Sequence, residues 1–104
     1  MNYDYFRVIR KWASDRNLID GSTLQAQVVK LLEESGELAA GVARKDTDKI
    51  VDSIGDIIVV LTIIAAQIDI PVEECIDLAW EQIRYRKGKM VDGVFIKEGD
   101  DATS

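Results

Sequence analysis

Residues 57–64 read Ile57-Ile58-Val59-Val60-Leu61-Thr62-Ile63-Ile64, and whether they form a strand or a helix settles the fold. Side-chain shape alone favours a strand, because β-branched residues suit a pleated surface and are stiff in a helix. Length overrules shape. The apolar pattern runs from about residue 49 to 67 and closes on Ala65-Ala66, which is too long for an ordinary strand and favours a helix. The run from Ile57 to Ala66 has about half the length of a membrane span, and Asp52, Asp56 and Asp69 flank it, so it belongs in a protein core. A helix this apolar is buried on most sides. Three other short helices in one subunit can hardly cover it, so an oligomer is expected.

Upstream, Leu24, Val28, Leu31, Leu32, Leu38, Ala39 and Val42 recur at intervals of three and four. They predict a helix over residues 23–43 with one apolar stripe, capped by Ser22 or Thr23. Arg44-Lys45 suit its negative end. The tight link that follows, with Asp46, Thr47 or Asp48 as the next cap, predicts that helices two and three are antiparallel neighbours. Before them, Tyr5, Phe6, Val8, Ile9, Trp12 and Ala13 place a first helix over residues 3–16, with Trp12 packed in the core. After them, Pro71 is tolerated in the first turn of a fourth helix and Glu73 and Glu74 favour its positive end. Val72, Cys75, Ile76, Ala79 and Ile83 supply that helix's inward face. Asp92-Gly93, between short apolar runs, signals a small hairpin or extended arm. The expectation is an all-α, oligomeric four-helix bundle, a single domain over residues 1–97 with a short C-terminal arm or hairpin and a frayed acidic tail over 98–104.

With 104 residues, 47% hydrophobic, 31% charged and one proline, the chain has the composition of one folded helical domain. Its net charge of -6 argues against a nucleic-acid or acidic-membrane surface, because phosphate backbones attract basic patches. Cys75 is the sole cysteine and histidine is absent, which excludes an intrachain disulfide, a Cys–His nucleophile and the usual zinc sites. Cys75 is expected as a small buried apolar residue. The first ten residues carry acids and aromatics where a signal peptide has a basic start and an apolar run. A cytoplasmic location is expected.

The acidic residues are clustered. Glu33, Glu34 and Glu37 lie within about one helical turn, on the side of helix two away from its apolar stripe. Solvation, Lys30 or a bound cation can offset their mutual repulsion. Asp52 and Asp56, one turn apart, head helix three on a face that continues as Val59, Val60 and Ile63. Asp48 reads as a cap and Asp52 as a hydrated first-turn acid, whereas Asp56 lies deeper. A carboxylate in line with buried aliphatic residues must be hydrated, paired or metal-bound. Across antiparallel helices, segment 33–37 and Asp56 can form an all-oxygen site, which suits Mg2+ and the phosphates of a nucleotide. Lys30, with the cluster Arg84, Arg86, Lys87 and Lys89, supplies the cations for those phosphates, or else these are solvated surface charges.

These residues resemble a known family. Glu33-Glu34-Ser35-Gly36-Glu37 followed by Leu38, then Ser53-Ile54-Gly55-Asp56 at the head of an apolar helix, look like the EExxE and ExxD pair of MazG-like all-α nucleotide pyrophosphohydrolases, relatives of the dimeric dUTPases. The stretch Arg86-Lys87-Gly88-Lys89-Met90-Val91-Asp92-Gly93-Val94-Phe95 looks like the small phage and bacterial branch. The likeness runs from about residue 25 to 97. It implies a helical bundle assembled as a dimer or dimer of dimers, with Mg2+-dependent cleavage of an NTP or dNTP to a monophosphate and pyrophosphate. It also implies Glu34, Glu37 and Asp56 as metal ligands, and Glu33 as a group that orients them or acts as base for the attacking water.

One position departs from that pattern. The first acid of ExxD is Ser53 here, and Asp52 lies one residue, about 100°, away. Either Asp52 takes its place after a small helix rotation, or a metal is lost and activity falls. The competing expectation is a non-catalytic bundle that binds nucleotide or a protein partner.

Overall fold

The computed structural model describes residues 3–99. It contains α1 Tyr5–Asp15, α2 Leu24–Ala43, α3 Thr47–Gln67 and α4 Val72–Ile83, followed by a hairpin of β1 Gly88–Val91 and β2 Val94–Lys97. The ambiguous run 57–64 lies wholly within α3. Tertiary contacts hold its β-branched side chains there against their intrinsic preference.

Each of the first three helices begins on a side-chain cap. Asp4, Thr23 and Asp46 accept the N–H groups of Arg7, Ala26 and Lys49 at 3.1, 3.0 and 3.2 Å. Asp46, not Asp48, therefore caps α3; Asp48 stands in its first turn, beside the positive end of the helix. The same three helices also end alike, on a residue with left-handed backbone: Asn17, Lys45 and Asp69, with φ of 57, 56 and 59°. Behind each, the next N–H closes the helix, from Leu18 to the Ala13 carbonyl, Asp46 to Gly41 and Ile70 to Ala65, at 2.9, 2.9 and 3.0 Å. Asn and Asp tolerate that conformation, but lysine does not. Lys45→Gly is expected to raise stability in urea unfolding by about 0.5–1 kcal/mol, because it removes the Cβ clash without touching a contact.

The main seam lies between α2 and α3. Along α2, Gln27, Leu31, Glu34, Leu38 and Gly41 lose exposure, with Ala40 beside them, a four-and-three spacing that marks one helix face. A Cβ on Gly41 would lie 3.3 Å from Ile50, so the glycine permits the close approach of the two helices. On α3 the buried residues are Ser53, Val60, Thr62, Ile63 and Ala65. Both α1 and α4 also pack on α3, and each contributes one fully buried residue, Ala13 and Val72.

Several side chains differ from their expected places. Glu34, assigned to the solvated side of α2, is only 6% exposed, while Leu32 and Val42 of the apolar stripe are 66% and 59% exposed. The apolar surface of α2 is wider than one neighbour can cover, and the face that meets α3 is turned about one residue round the helix. Trp12 is exposed, with the Arg16 guanidinium 4.5 Å from its ring centroid. Cys75 is exposed, and so are Ile76, Ala79 and Ile83, because α4 buries only its first turn. On α3, Val51, Ile54, Ile58 and Leu61 also face outward.

The radius of gyration is 16.5 Å, against about 13 Å for a compact chain of this size. By length and composition α3 would suffice to cross a membrane, yet only 28% of its most apolar window is buried within the protomer. Much of the apolar surface of α2 and α3 is therefore left uncovered within the protomer.

Arg10 of α1 grips Glu73 of α4 through two parallel hydrogen bonds, one of them 3.0 Å from Nη2 to Oε2. The pair holds the Glu73 carboxyl below its ordinary value, first through the Arg10 hydrogen bond and then through its own backbone N–H. A depressed carboxyl contributes stability above its unfolded value of 4.5 and loses it as pH falls through the lower folded value. Near-UV circular dichroism of Trp80 on α4 is accordingly expected to change on acidification through this range. Glu73→Gln should show the loosened α4 already at neutral pH and lack the acid step.

The C-terminal arm is a hairpin, with Gly88 paired to Lys97 and Val91 to Val94. Its turn residues Asp92 and Gly93 both have positive φ, 51 and 79°, as a two-residue turn with the twist of its strands requires. A Cβ on Gly88 would sit 2.3 Å from the Ile96 carbonyl oxygen, so only glycine fits there. The Glu98 N–H donates to the Lys87 carbonyl at 2.6 Å, which extends the hairpin into the expected tail. Residues 100–104, the rest of that tail, lie outside the described residues.

Candidate active site

The register of α2 on α3 decides which acids meet. Gly41 lies against Lys49 and Ile50. Counting back along antiparallel helices brings Glu37 and Leu38 about level with Ser53, and Glu34 about level with Asp56.

The electrostatics agree with that count. The half-buried Asp56 carboxyl is pushed above the ordinary carboxylate range, first by burial and then by the charges of Asp52 and Glu34. The nearness of the Glu34 carboxyl and the charge of Glu37 push it the same way. Four acids from two helices thus act on one place. Glu34 presents Oε1 to the Lys30 ammonium at 3.3 Å, while its Oε2 is buried without a partner. Lys30 is held more firmly protonated, first by its hydrogen bond to Glu34 and then by the charges of Glu34, Glu33 and Glu37. Glu33 lies 3.8 Å from Lys30 and is exposed, as are Glu37 and Asp52. Ser53 is 1% exposed, and its hydroxyl also has no partner.

Among the described residues, no three of these side chains are grouped tightly enough to grip an ion as they stand. Lys30 occupies one oxygen of Glu34, and like charges without a counter-ion spread apart. The donors nevertheless fit a hard divalent cation: they are all oxygen, they converge, and the buried Glu34 Oε2 is unsatisfied.

Of the expected phosphate-binding residues, only Lys30 joins the acids. Arg84 pairs with Glu81 at 3.0 Å and lies over the Tyr85 ring, 4.7 Å from its centroid. Arg86, Lys87 and Lys89 sit on the segment leading into the hairpin and on β1, and neither the hairpin nor the end of α4 forms a packing layer on α2.

Between α1 and α3, at Gly55, there is a feature that sequence reasoning missed. Tyr3, Tyr5, Phe6 and Ile9 face Gly55 and Ile58 across an apolar cleft of about 480 Å³. The rings of Tyr3 and Tyr5 meet edge to face, 4.7 Å apart. Periodicity placed Tyr5, Phe6 and Ile9 on the first helix without assigning them a partner. The available signals were the density of aromatics at the start of α1 and a glycine directly ahead of Asp56.

Fold and site together define a helical bundle built around a carboxylate cluster shared by two antiparallel helices. The chain belongs to the MazG nucleotide pyrophosphohydrolase domain family, which matches residues 22–91, leaving α1 and β2 outside the match. Over 59 residues it is 56% identical to an uncharacterized 18.2 kDa protein in the rep-hol intergenic region of Haemophilus phage HP1, strain HP1c1. That stretch is 57% of this chain and 36% of the phage protein, so the likeness spans little more than a third of that relative. No solved structure matches the chain.

Proposed function

We propose that this chain is a Mg2+-dependent nucleoside triphosphate pyrophosphohydrolase, which cleaves an NTP or dNTP to the monophosphate and pyrophosphate. The observation that carries this reading is the convergence of Glu34, Glu37, Asp52 and Asp56 on one part of the α2–α3 seam. When bound, Mg2+ would neutralise the charge of the triphosphate and activate water. Glu34, Glu37 and Asp56 would hold the ion, with Asp52 adding negative charge at the rim. Glu33, at the exposed edge, would orient them or take the proton of the attacking water. Lys30, 3.3 Å from Glu34 Oε1, would bind a phosphate oxygen. The aromatic cleft at Gly55 would accept the flat face of the base.

Arg84, Arg86, Lys87 and Lys89 reach the phosphates from a second copy of the chain, since none lies at the acids of its own protomer. The outward apolar residues of α2 and α3 are the surface on which that copy docks, giving a homodimer or dimer of dimers. A cytoplasmic location goes with this reading, which calls for neither nucleic acid nor membrane.

The test is a pyrophosphate-release screen across the common NTPs and dNTPs, with Mg2+ and with EDTA. Release from at least one nucleotide that requires Mg2+ is expected. Nucleotide binding without release from any of them would favour a non-catalytic bundle, the alternative that the neutral Ser53 supports.

A further inference from the structure

Ser53 lies in the seam but differs from its neighbours. It is 1% exposed and its Oγ has no hydrogen-bond partner. A buried hydroxyl on a helix ordinarily bonds back to the carbonyl four residues earlier. Thr62, nine residues further along α3 and equally buried, does so, donating to the Ile58 carbonyl at 2.7 Å. Ser53 does not, and leaving such a group unsatisfied is a cost to the fold. A second polar atom of the seam, Glu34 Oε2, about one turn away at the level of Asp56, is also buried without a partner. Glu34 is 6% exposed, so two orphaned oxygens border the carboxylate cluster from opposite helices.

A neutral hydroxyl is a weaker ligand for Mg2+ than a carboxylate, and Mg2+ keeps several of its own waters. It is a good partner for water, with one donor and two acceptor positions. Asp52 is exposed, about 100° round the helix from the buried Ser53, and so lies at the rim of the seam.

We propose that Ser53 holds, through Oγ, one water of the hydration shell of a divalent cation bound by Glu34, Glu37 and Asp56, and that Asp52 does not replace a ligand at this position. Ser53 is thus a positioning residue that serves the ion through water. The inference rests on the reading of the acids as a cation site.

Calorimetric titration of the full chain with Mg2+, with no nucleotide present, tests it. Ser53→Ala is expected to weaken Mg2+ binding by about 10–100-fold, with unchanged stoichiometry and an undiminished melting temperature in EDTA. Asp52→Asn is expected to weaken binding less than Ser53→Ala does, through the loss of one nearby charge alone. Unchanged affinity in Ser53→Ala, or an equal loss in Asp52→Asn, overturns the inference. A lower melting temperature of Ser53→Ala in EDTA also overturns it, by showing the hydroxyl to be structural. Glu34→Gln and Asp56→Asn separate the two levels of the argument. If both abolish Mg2+ binding and Ser53→Ala changes nothing, only the role of Ser53 fails; if both bind Mg2+ normally, the cation site itself is wrong.

Discussion

Asp56→Asn is expected to lower Mg2+-dependent pyrophosphate release by about 10³-fold or more, while the metal-free protein becomes more stable. The two effects have one cause. Asp56 is half-buried, and burial together with Asp52, Glu34 and Glu37 opposes its charge. Without a cation, that charge is a cost to the fold. Relief of a like-charge pair one turn apart is worth about 0.2–0.5 kcal/mol, and removing the partly desolvated charge adds to this. Steady-state pyrophosphate release and thermal melting in EDTA read the two effects separately. Glu37→Gln should match the loss of turnover with a smaller stability gain, because Glu37 is exposed. Turnover retained in both variants would show the acids to be structural.

Light scattering at micromolar concentration is expected to show at least a dimer, and Leu32→Lys is expected to break it. Leu32 of α2 is 66% exposed in the isolated protomer. If that surface faced water in solution, a lysine there would change stability by no more than about 0.5 kcal/mol. Against a second copy, the same lysine buries an unpaired charge, which costs about 3 kcal/mol or more. Val51→Lys on α3, at a position 65% exposed, is expected to act in the same way. A monodisperse wild-type monomer, or variants with wild-type mass and melting temperature, would remove the basis for an obligate interface.

What the sequence determined by itself is local in origin. The identity of α3 was legible at Ile57–Ile64 because a long apolar run ending in alanines outlasts any strand. The starts of α2 at Ser22 or Thr23 and of α3 within residues 46–48, the Asp92-Gly93 turn and the antiparallel pairing of α2 with α3 follow from residues a few positions apart, while the fold selected Thr23 and Asp46 as the caps. The acids that converge on Asp56 were legible too, since helical periodicity and the short link between α2 and α3 bring them together.

The choice among faces was not legible. Periodicity marks an apolar stripe but does not say which part of a broad stripe meets the neighbour, so Glu34 was placed outside and Leu32 inside, the reverse of what the α2–α3 contact imposes. The same limit applies to Trp12 and Cys75, apolar residues whose helices have too few neighbours within one protomer to cover them. Only the tertiary structure separated Lys30 from the Arg84–Lys89 cluster, because distance across a fold is not written in spacing along a chain. It alone turned the aromatics at the start of α1 toward Gly55 and buried the Ser53 hydroxyl without a partner, because burial depends on every helix that packs around a site.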